Sequence, residues 1–298
     1  MEQKNNSGQN GTRFFALLYT FIFLTILFLT GVSSASAGEK IYGDRASLGD
    51  GHVHTYIQYN DDGSPSAIGV QFSKSTLSNL PSGSDGNYCW DKNGNGQFEV
   101  KEHECLITHE RILFLPKHNQ NIPFKWVLLN WNPEGHPPPG VYDLPHFDIH
   151  FYTMDYLKRN SIRMGPCAEE MMDCDDLKKA LTPVPPKFLP EEYISIGEAV
   201  AVPRMGMHLL NPRSPELLKP PENKKFTHTY FYGAYDGHIT FFEPMITLAY
   251  FQSEPDVCIA TKQPSEFETS GYYPTKYCIK FSPKTSQYTV SLEGMVKH

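Results

Sequence analysis

The sequence lacks the motifs of several common enzyme classes. It contains no Gly-x-Ser-x-Gly nucleophile motif, no glycine-rich phosphate-binding loop and no His-Glu-x-x-His zinc motif. Basic residues are also few: 26 Lys and Arg stand against 33 Asp and Glu, which gives a net charge of −7. This balance excludes a general affinity for nucleic acid or for anionic membrane surfaces.

Long amphipathic helical patterns are absent as well, which excludes a helical bundle. The 298 residues include 19 Phe, 17 Tyr, 22 Gly and 24 Pro, and such a composition favours strands and turns. We therefore expect a mainly β fold, a sandwich or a barrel, with a small helical insertion. The strand-like segments are 53–72 (as a hairpin), 111–115, 124–131, 146–152, 197–202, 226–235 and 238–251.

Only one uncharged hydrophobic run in the sequence approaches the length of a membrane span. It extends from Phe14 to Val32, follows a basic start and precedes the small-residue sequence Ala35-x-Ala37. These are the three parts of a secretory signal peptide, so we expect cleavage after Ala37 and a secreted or periplasmic mature chain without membrane contact. An uncleaved membrane anchor is the alternative.

The sequence has no Cys-x-x-Cys, which weakens a redox motif and a thiolate zinc site. Its six cysteines agree instead with export, because disulfides form in oxidising compartments. Several connectivities are compatible with six cysteines, and we favour pairing between sequence neighbours. The favoured pairs are Cys89 with Cys105, Cys167 with Cys174, and Cys258 with Cys278.

A segment rich in Asp, Asn and Gly matches the EF-hand calcium loop position by position. We expect a structural Ca²⁺ site whose loop ends are clamped by Cys89 and Cys105. The alternative is an ordinary surface turn, since no partner loop exists. The expected ligands are the side chains of Asp91, Asn93 and Asn95, the backbone carbonyl of Gln97, Glu99 through water, and both carboxylate oxygens of Glu102.

These features predict three parts of the chain. The signal peptide occupies 1–37, and the β-rich core domain follows over 38–254. The core carries the calcium loop insertion at about 89–105 and the helical insertion at about 153–195. A disulfide-linked β extension at the C-terminus covers 255–298.

Histidines alternate with apolar residues in the segment 146–152. In a strand, His146, Asp148 and His150 share one face, while the intervening apolar side chains share the other. Two imidazoles and a carboxylate on one face suit a metal site or an acid–base pair. Alternatively, this face meets water while the apolar face packs in the core.

A predicted hairpin later in the chain contributes a carboxylate that could join these histidines. Tyr235-Asp-Gly-His238 fits a two-residue turn, and counting outward from it sets Tyr230 opposite Glu243 with His228 on the same face. A carboxylate in so aromatic a strand is costly unless it is paired or binds a cation.

We therefore predict a site for a transition metal such as Zn²⁺. The competing interpretation is a satisfied polar network inside a barrel. The predicted ligands are His146, His150, His208 and Glu243. Asp148 and His228 are expected to orient these ligands without binding the metal themselves.

Three segments resemble a family of exported bacterial proteins of unknown function, typified by a sigma-E-regulated secreted Thermus protein. The likeness covers about 50–80 and 110–252, and it implies a secreted β-rich domain that forms homo-oligomers. It implies no particular reaction. The segments are LNWNPEGHPPPGVYDLPHFDIHFY (129–152), MGMH (205–208) and FYGAYDGHITFFEPM (231–245).

Together, these observations predict an exported, calcium-binding β-rich protein that acts in binding or assembly in the periplasm or outside the cell. The alternative is a metal-dependent enzyme that uses the His/His/His/Glu site on the β core. The sequence identifies no substrate or small-molecule ligand.

Overall fold

The computed structural model describes residues 38–118, 121–169 and 171–298. The predicted signal peptide, 1–37, lies outside these described residues. The α-helices of the described part are α1 (Tyr156–Asn160), α2 (Cys174–Ala180) and α3 (Leu248–Gln252). The strands are β1 (Lys40–Leu48), β2 (Gly51–Tyr59), β3 (Pro65–Ser73), β4 (His109–Phe114), β5 (Trp126–Asn132), β6 (His146–Tyr152), β7 (Ala201–Val202), β8 (Gly206–Leu209), β9 (His228–Tyr235), β10 (His238–Thr247), β11 (Asp256–Ala260), β12 (Tyr272–Tyr273), β13 (Lys276–Ser282), β14 (Gln287–Glu293) and β15 (Val296–Lys297).

The fold is mainly β, as the sequence predicts, and its strands form two large antiparallel sheets. One sheet has the order β1-β2-β3-β14-β13-β11 and the other β4-β5-β6-β10-β9-β8-β7, while β12 pairs with β15 alone. The C-terminal strand β14 lies between β3 and β13, so the tail is an integral part of the first sheet rather than an extension. Among the described residues, no helix is long and apolar enough to cross a membrane.

The two large sheets face each other across an aromatic core. The ring of Phe147 on β6 lies 5.7 Å from that of Phe251, which lies 5.4 Å from that of Phe72 on β3. Tyr230 on β9 stacks on Tyr277 of β13 at 5.0 Å. Since side chains alternate along a strand, the apolar residues of β6 face this core and its histidines face the other way.

The insertions are tied to the sheet by a buried network of three side chains. Tyr88 and Arg159 both donate hydrogen bonds to the Glu110 carboxylate, and Arg159 also donates to the Tyr88 hydroxyl. Tyr88 belongs to the segment before the predicted calcium loop, Arg159 to α1 in the helical insertion, and Glu110 to β4. The network therefore fixes both insertions to one edge of the seven-stranded sheet.

One disulfide lies within each insertion, and the third joins β11 to β13. The structure joins the sequence neighbours that we favoured, and among the described residues no cysteine is free. The pairs are Cys89–Cys105, Cys167–Cys174 and Cys258–Cys278.

Candidate metal centre

The strand register brings three of the predicted ligands together. In the antiparallel pair of β6 and β10, Met245 is opposite Asp148 and Phe242 is opposite Phe151, which sets Glu243 opposite His150. Strand β9 lies between β10 and β8, which carries His208. The residue of β9 opposite His208 is a glycine, Gly233.

Gly233 is required at this position by the packing around it. A Cβ built there would lie 2.0 Å from the ring of Phe241. The ring therefore fills the space that a side chain would need, and its centroid lies 5.2 Å from that of His208. A glycine in a strand often marks such a close approach.

The first ligand group consists of His150, His208 and Glu243, each offering one atom within 4.8 Å of the others. His150 Nε2 is 3.2 Å from Glu243 Oε1, and His208 Nε2 is 3.7 Å from Glu243 Oε2. Glu243 is only 2% exposed. Two imidazoles and one carboxylate therefore converge at a site that excludes bulk water.

The orientation of the His208 imidazole leaves a lone pair directed at this carboxylate. His208 Nδ1 donates to the backbone carbonyl of Val200 at 3.1 Å, since a carbonyl only accepts. The neutral ring then presents the lone pair of Nε2 to Glu243. His150 Nε2 and Glu243 Oε2 are both buried without a hydrogen-bond partner among the described residues.

Burial determines the protonation of these groups. It lowers the pKa of His150 to about 3 and that of His208 to about 4, so both rings are neutral at neutral pH. Burial, together with the negative charge of Asp148, raises the pKa of Glu243 well above its ordinary value. A cation bound among the three groups would favour ionisation of Glu243.

A second ligand group lies beside the first and consists of His136, His146 and Asp148. His146 Nε2 is 3.1 Å from Asp148 Oδ1, and His136 Nε2 is 3.6 Å from Asp148 Oδ2. Asn132 on β5 donates to Asp148 Oδ2 at 2.6 Å. Burial acts to raise the pKa of Asp148, but His146 and His136 outweigh it and hold that pKa well below its ordinary value.

A cavity of about 860 Å³ opens beside both groups. Asp148, His208, Glu243 and His136 line it together with apolar side chains, and segments of the predicted calcium loop contribute to its wall. A cavity of this size with a few convergent polar groups is typical of a small-molecule site. The apolar lining includes Tyr142, Leu210, Phe231 and Met245.

The predicted four-ligand site is thus divided in the structure. His150, His208 and Glu243 come together, but His146 belongs to the second group with Asp148. Asp148 is itself a candidate ligand rather than a support for the others. The two groups are distinct because each carboxylate has its own imidazole: His146 Nε2 lies against Asp148 on the same strand, whereas His150 Nε2 lies against Glu243 on the neighbouring strand.

His228 does not support the site, and a β-bulge explains why. Tyr235 does face His238, but the register shifts between Ile239 and Phe241, so that Glu243 is opposite Phe231 instead of Tyr230. One extra residue moves all later side chains to the other face. His228 therefore lies on the core face, where its Nδ1 is 2.8 Å from the hydroxyl of Tyr277.

The predicted calcium loop forms an ordered turn. Asp91 accepts hydrogen bonds from the backbone N–H groups of Gly94, Asn95 and Gly96. Its carboxylate is not part of any close group of ligating side chains in the described ranges, so Glu99 and Glu102 are not gathered around it. The calcium site stays a prediction.

Sequence reasoning missed two residues. The sequence does not identify His136 as a ligand, because its approach to Asp148 on β6 depends on the path of the Pro-rich loop. Glu104 is buried and accepts from the backbone N–H groups of Lys92, Asn93 and Glu99. The only sequence signal for Glu104 was its position beside Cys105.

Comparison with known proteins adds no relative. No family model, no curated protein and no solved structure matches this chain.

Proposed function

We propose that this protein is a metal-dependent enzyme in which His150, His208 and Glu243 hold a divalent transition metal at the edge of the cavity. One observation carries the proposal: the buried, unpartnered atoms His150 Nε2 and Glu243 Oε2 lie at the point where the three side chains converge. Buried polar atoms without partners are costly, and a cation would satisfy them at once.

The ligand set supports a transition metal. Neutral imidazole nitrogens and one carboxylate are the donors that zinc and similar ions prefer, and two His with one Glu is a ligand set of catalytic zinc sites. The Nδ1 of His208 is held by the Val200 carbonyl, which is how proteins orient ligating imidazoles.

The surroundings of the group support catalysis rather than a structural ion. Three protein ligands leave the fourth position of a tetrahedral ion open. His208 and Glu243 line the cavity, so that position would face it. A metal held by these three residues would lower the pKa of a bound water and polarise a carbonyl, the chemistry that hydrolysis of a small ester or amide requires.

The mature chain, residues 38–298, tests this proposal in a hydrolysis assay. Its rate on a panel of small esters and amides should fall on chelation and return when Zn²⁺, Mn²⁺ or Co²⁺ is added. Glu243→Gln should lose this rate, and His228→Gln should keep it because His228 lies on the core face. A rate unchanged by chelation would refute the proposal.

A binding role is the second candidate, and the apolar cavity lining favours it. Apolar side chains such as Phe231, Met245 and Leu210 can hold an apolar ligand whether or not the protein converts it to a product. Metal binding without turnover of any tested substrate would favour this binding or assembly role. A cavity that binds neither metal nor ligand would exclude both candidates.

We also propose that the 91–102 loop binds Ca²⁺ and that the protein is exported. The sequence match supports the calcium site, as does the disulfide that joins Cys89 to Cys105 at the loop ends. The three disulfides are consistent with an oxidising compartment.

A further inference from the structure

We infer that His136, His146 and Asp148 form a second divalent-cation site in the same cavity, so that the protein binds two metal ions. The two sites use different side chains, and neither needs the other for its ligands.

Orphaned atoms at the second group provide the first argument. His146 is fully buried, and its Nε2 lies 3.1 Å from Asp148 Oδ1. Neither atom has a hydrogen-bond partner in the described part of the chain. A cation between the two atoms satisfies both of them.

The orientation of the rings provides the second argument. His146 Nδ1 donates to the backbone carbonyl of Leu144 at 2.6 Å, and His136 Nδ1 donates to that of Pro137 at 2.8 Å. Both rings therefore turn Nε2 toward Asp148. A backbone carbonyl on Nδ1 is the usual support of a histidine that ligates through Nε2.

The support of the carboxylate provides the third argument. Asn132 donates to Asp148 Oδ2 and fixes the plane of the carboxylate while Oδ1 stays unpartnered. The same arrangement of Nδ1 on a carbonyl and Nε2 toward a carboxylate occurs at His208 in the first group. Two groups built alike beside one cavity fit two ions of the same class.

Two ions also suit the charge of the site. Asp148 and Glu243 are both buried, at 6% and 2% exposure, and both line the same cavity. A cation at each group would place a positive charge beside each of the two buried carboxylates, which one ion at either group does not do.

Metal stoichiometry tests this inference without depending on activity. The disulfide-bonded mature chain, stripped with chelator and titrated with Zn²⁺ in a calorimeter, should bind two ions besides any Ca²⁺ at the loop. Asp148→Asn and Glu243→Gln should each bind one. His136→Gln is the milder second variant, because this loop side chain is 35% exposed and its loss spares the core. His228→Gln should keep both ions.

The outcomes separate this inference from the proposed function. Suppose that the parent binds one ion, that Glu243→Gln binds none, and that Asp148→Asn and His136→Gln each still bind one. This result would overturn the second site and leave the first. If the parent binds one ion, which Asp148→Asn loses and Glu243→Gln keeps, the second site stands and the first is overturned. If His136→Gln keeps two ions, the proposed ligand set is wrong. Circular dichroism melts confirm that each variant is folded.

Discussion

Glu243 and His150 face each other across two hydrogen-bonded strands, with Oε1 and Nε2 3.2 Å apart and both side chains nearly inaccessible. The contact joins a carboxylate that resists ionisation to an imidazole that resists protonation. Neither group balances the charge of the other at neutral pH, so the pair is suited to a cation from outside the protein.

Replacing this carboxylate should abolish metal binding at the first group without unfolding the protein. We expect Glu243→Gln to weaken the first-site affinity for Zn²⁺ by more than about 100-fold, since loss of even an outer partner of a ligand costs about 10–100-fold. The metal-free variant should melt at or above the temperature of the parent, because an amide is easier to bury than a carboxyl group. Calorimetric titration and thermal melts check both statements, and a metal-free variant much less stable than the parent would refute the second.

Metal affinity should fall as the pH is lowered from neutral into the weakly acidic range. The reason is Glu243: its raised pKa means that the metal-free protein holds a proton there, which an incoming ion must displace. His150 and His208 add no proton release in this window, because their pKa values of about 3 and about 4 leave them neutral.

Titration of Zn²⁺ in buffers of different ionisation enthalpy measures the protons released. In the Asp148→Asn variant, which isolates the first group, we expect no more than one proton per ion at about pH 6. Release of two or three would show that the imidazoles are protonated in the metal-free protein, contrary to this assignment.

Calcium should stabilise the protein through the 91–102 loop. At a free concentration about 100 times the dissociation constant, Ca²⁺ should raise the free energy of unfolding by about 2.7 kcal/mol. Asp91→Ala should remove this gain, because its carboxylate holds the turn through three backbone N–H groups. Asp61→Ala, in the exposed turn between β2 and β3, is the matched control. Identical melts of the parent with calcium and with chelator would contradict the calcium site.

The buried network at the edge of the sheet should matter more for stability than any surface ion pair. Arg159→Ala leaves the Glu110 carboxylate buried without its cation, so we expect a loss of about 3–5 kcal/mol in the free energy of unfolding. Lys125→Ala breaks an exposed pair with Asp155 and should cost less than about 1 kcal/mol. Urea unfolding of both variants makes the comparison; equal losses would mean that the network does not anchor the insertions.

Local patterns were enough to predict several elements of the fold. Strict alternation in His146-Phe-Asp-Ile-His150 predicts a strand with a polar and an apolar face, and β6 has both. The helical insertion and the disulfide pairs also follow from local spacing, since α1 and α2 lie within it and each pair joins sequence neighbours.

Features that depend on distant parts of the chain could not be predicted. The bulge between Ile239 and Phe241 leaves no composition signal, yet it inverts the faces of β10 relative to β9 and removes His228 from the site. His136 reaches Asp148 only because of how the Pro-rich loop folds back on β6. The insertion of β14 beside β3 is a contact between the two ends of the described chain.

Metal analysis of residues 38–298, the expected mature form, is the most direct test of the central claim. The protein is purified without chelator from an oxidising compartment, and transition metals are quantified by mass spectrometry in the parent and in Glu243→Gln. We predict near-stoichiometric zinc, manganese, iron or copper in the parent and a clear loss in the variant. A parent without transition metal that also fails to take up added ions, or a variant with the same metal content, would contradict the account.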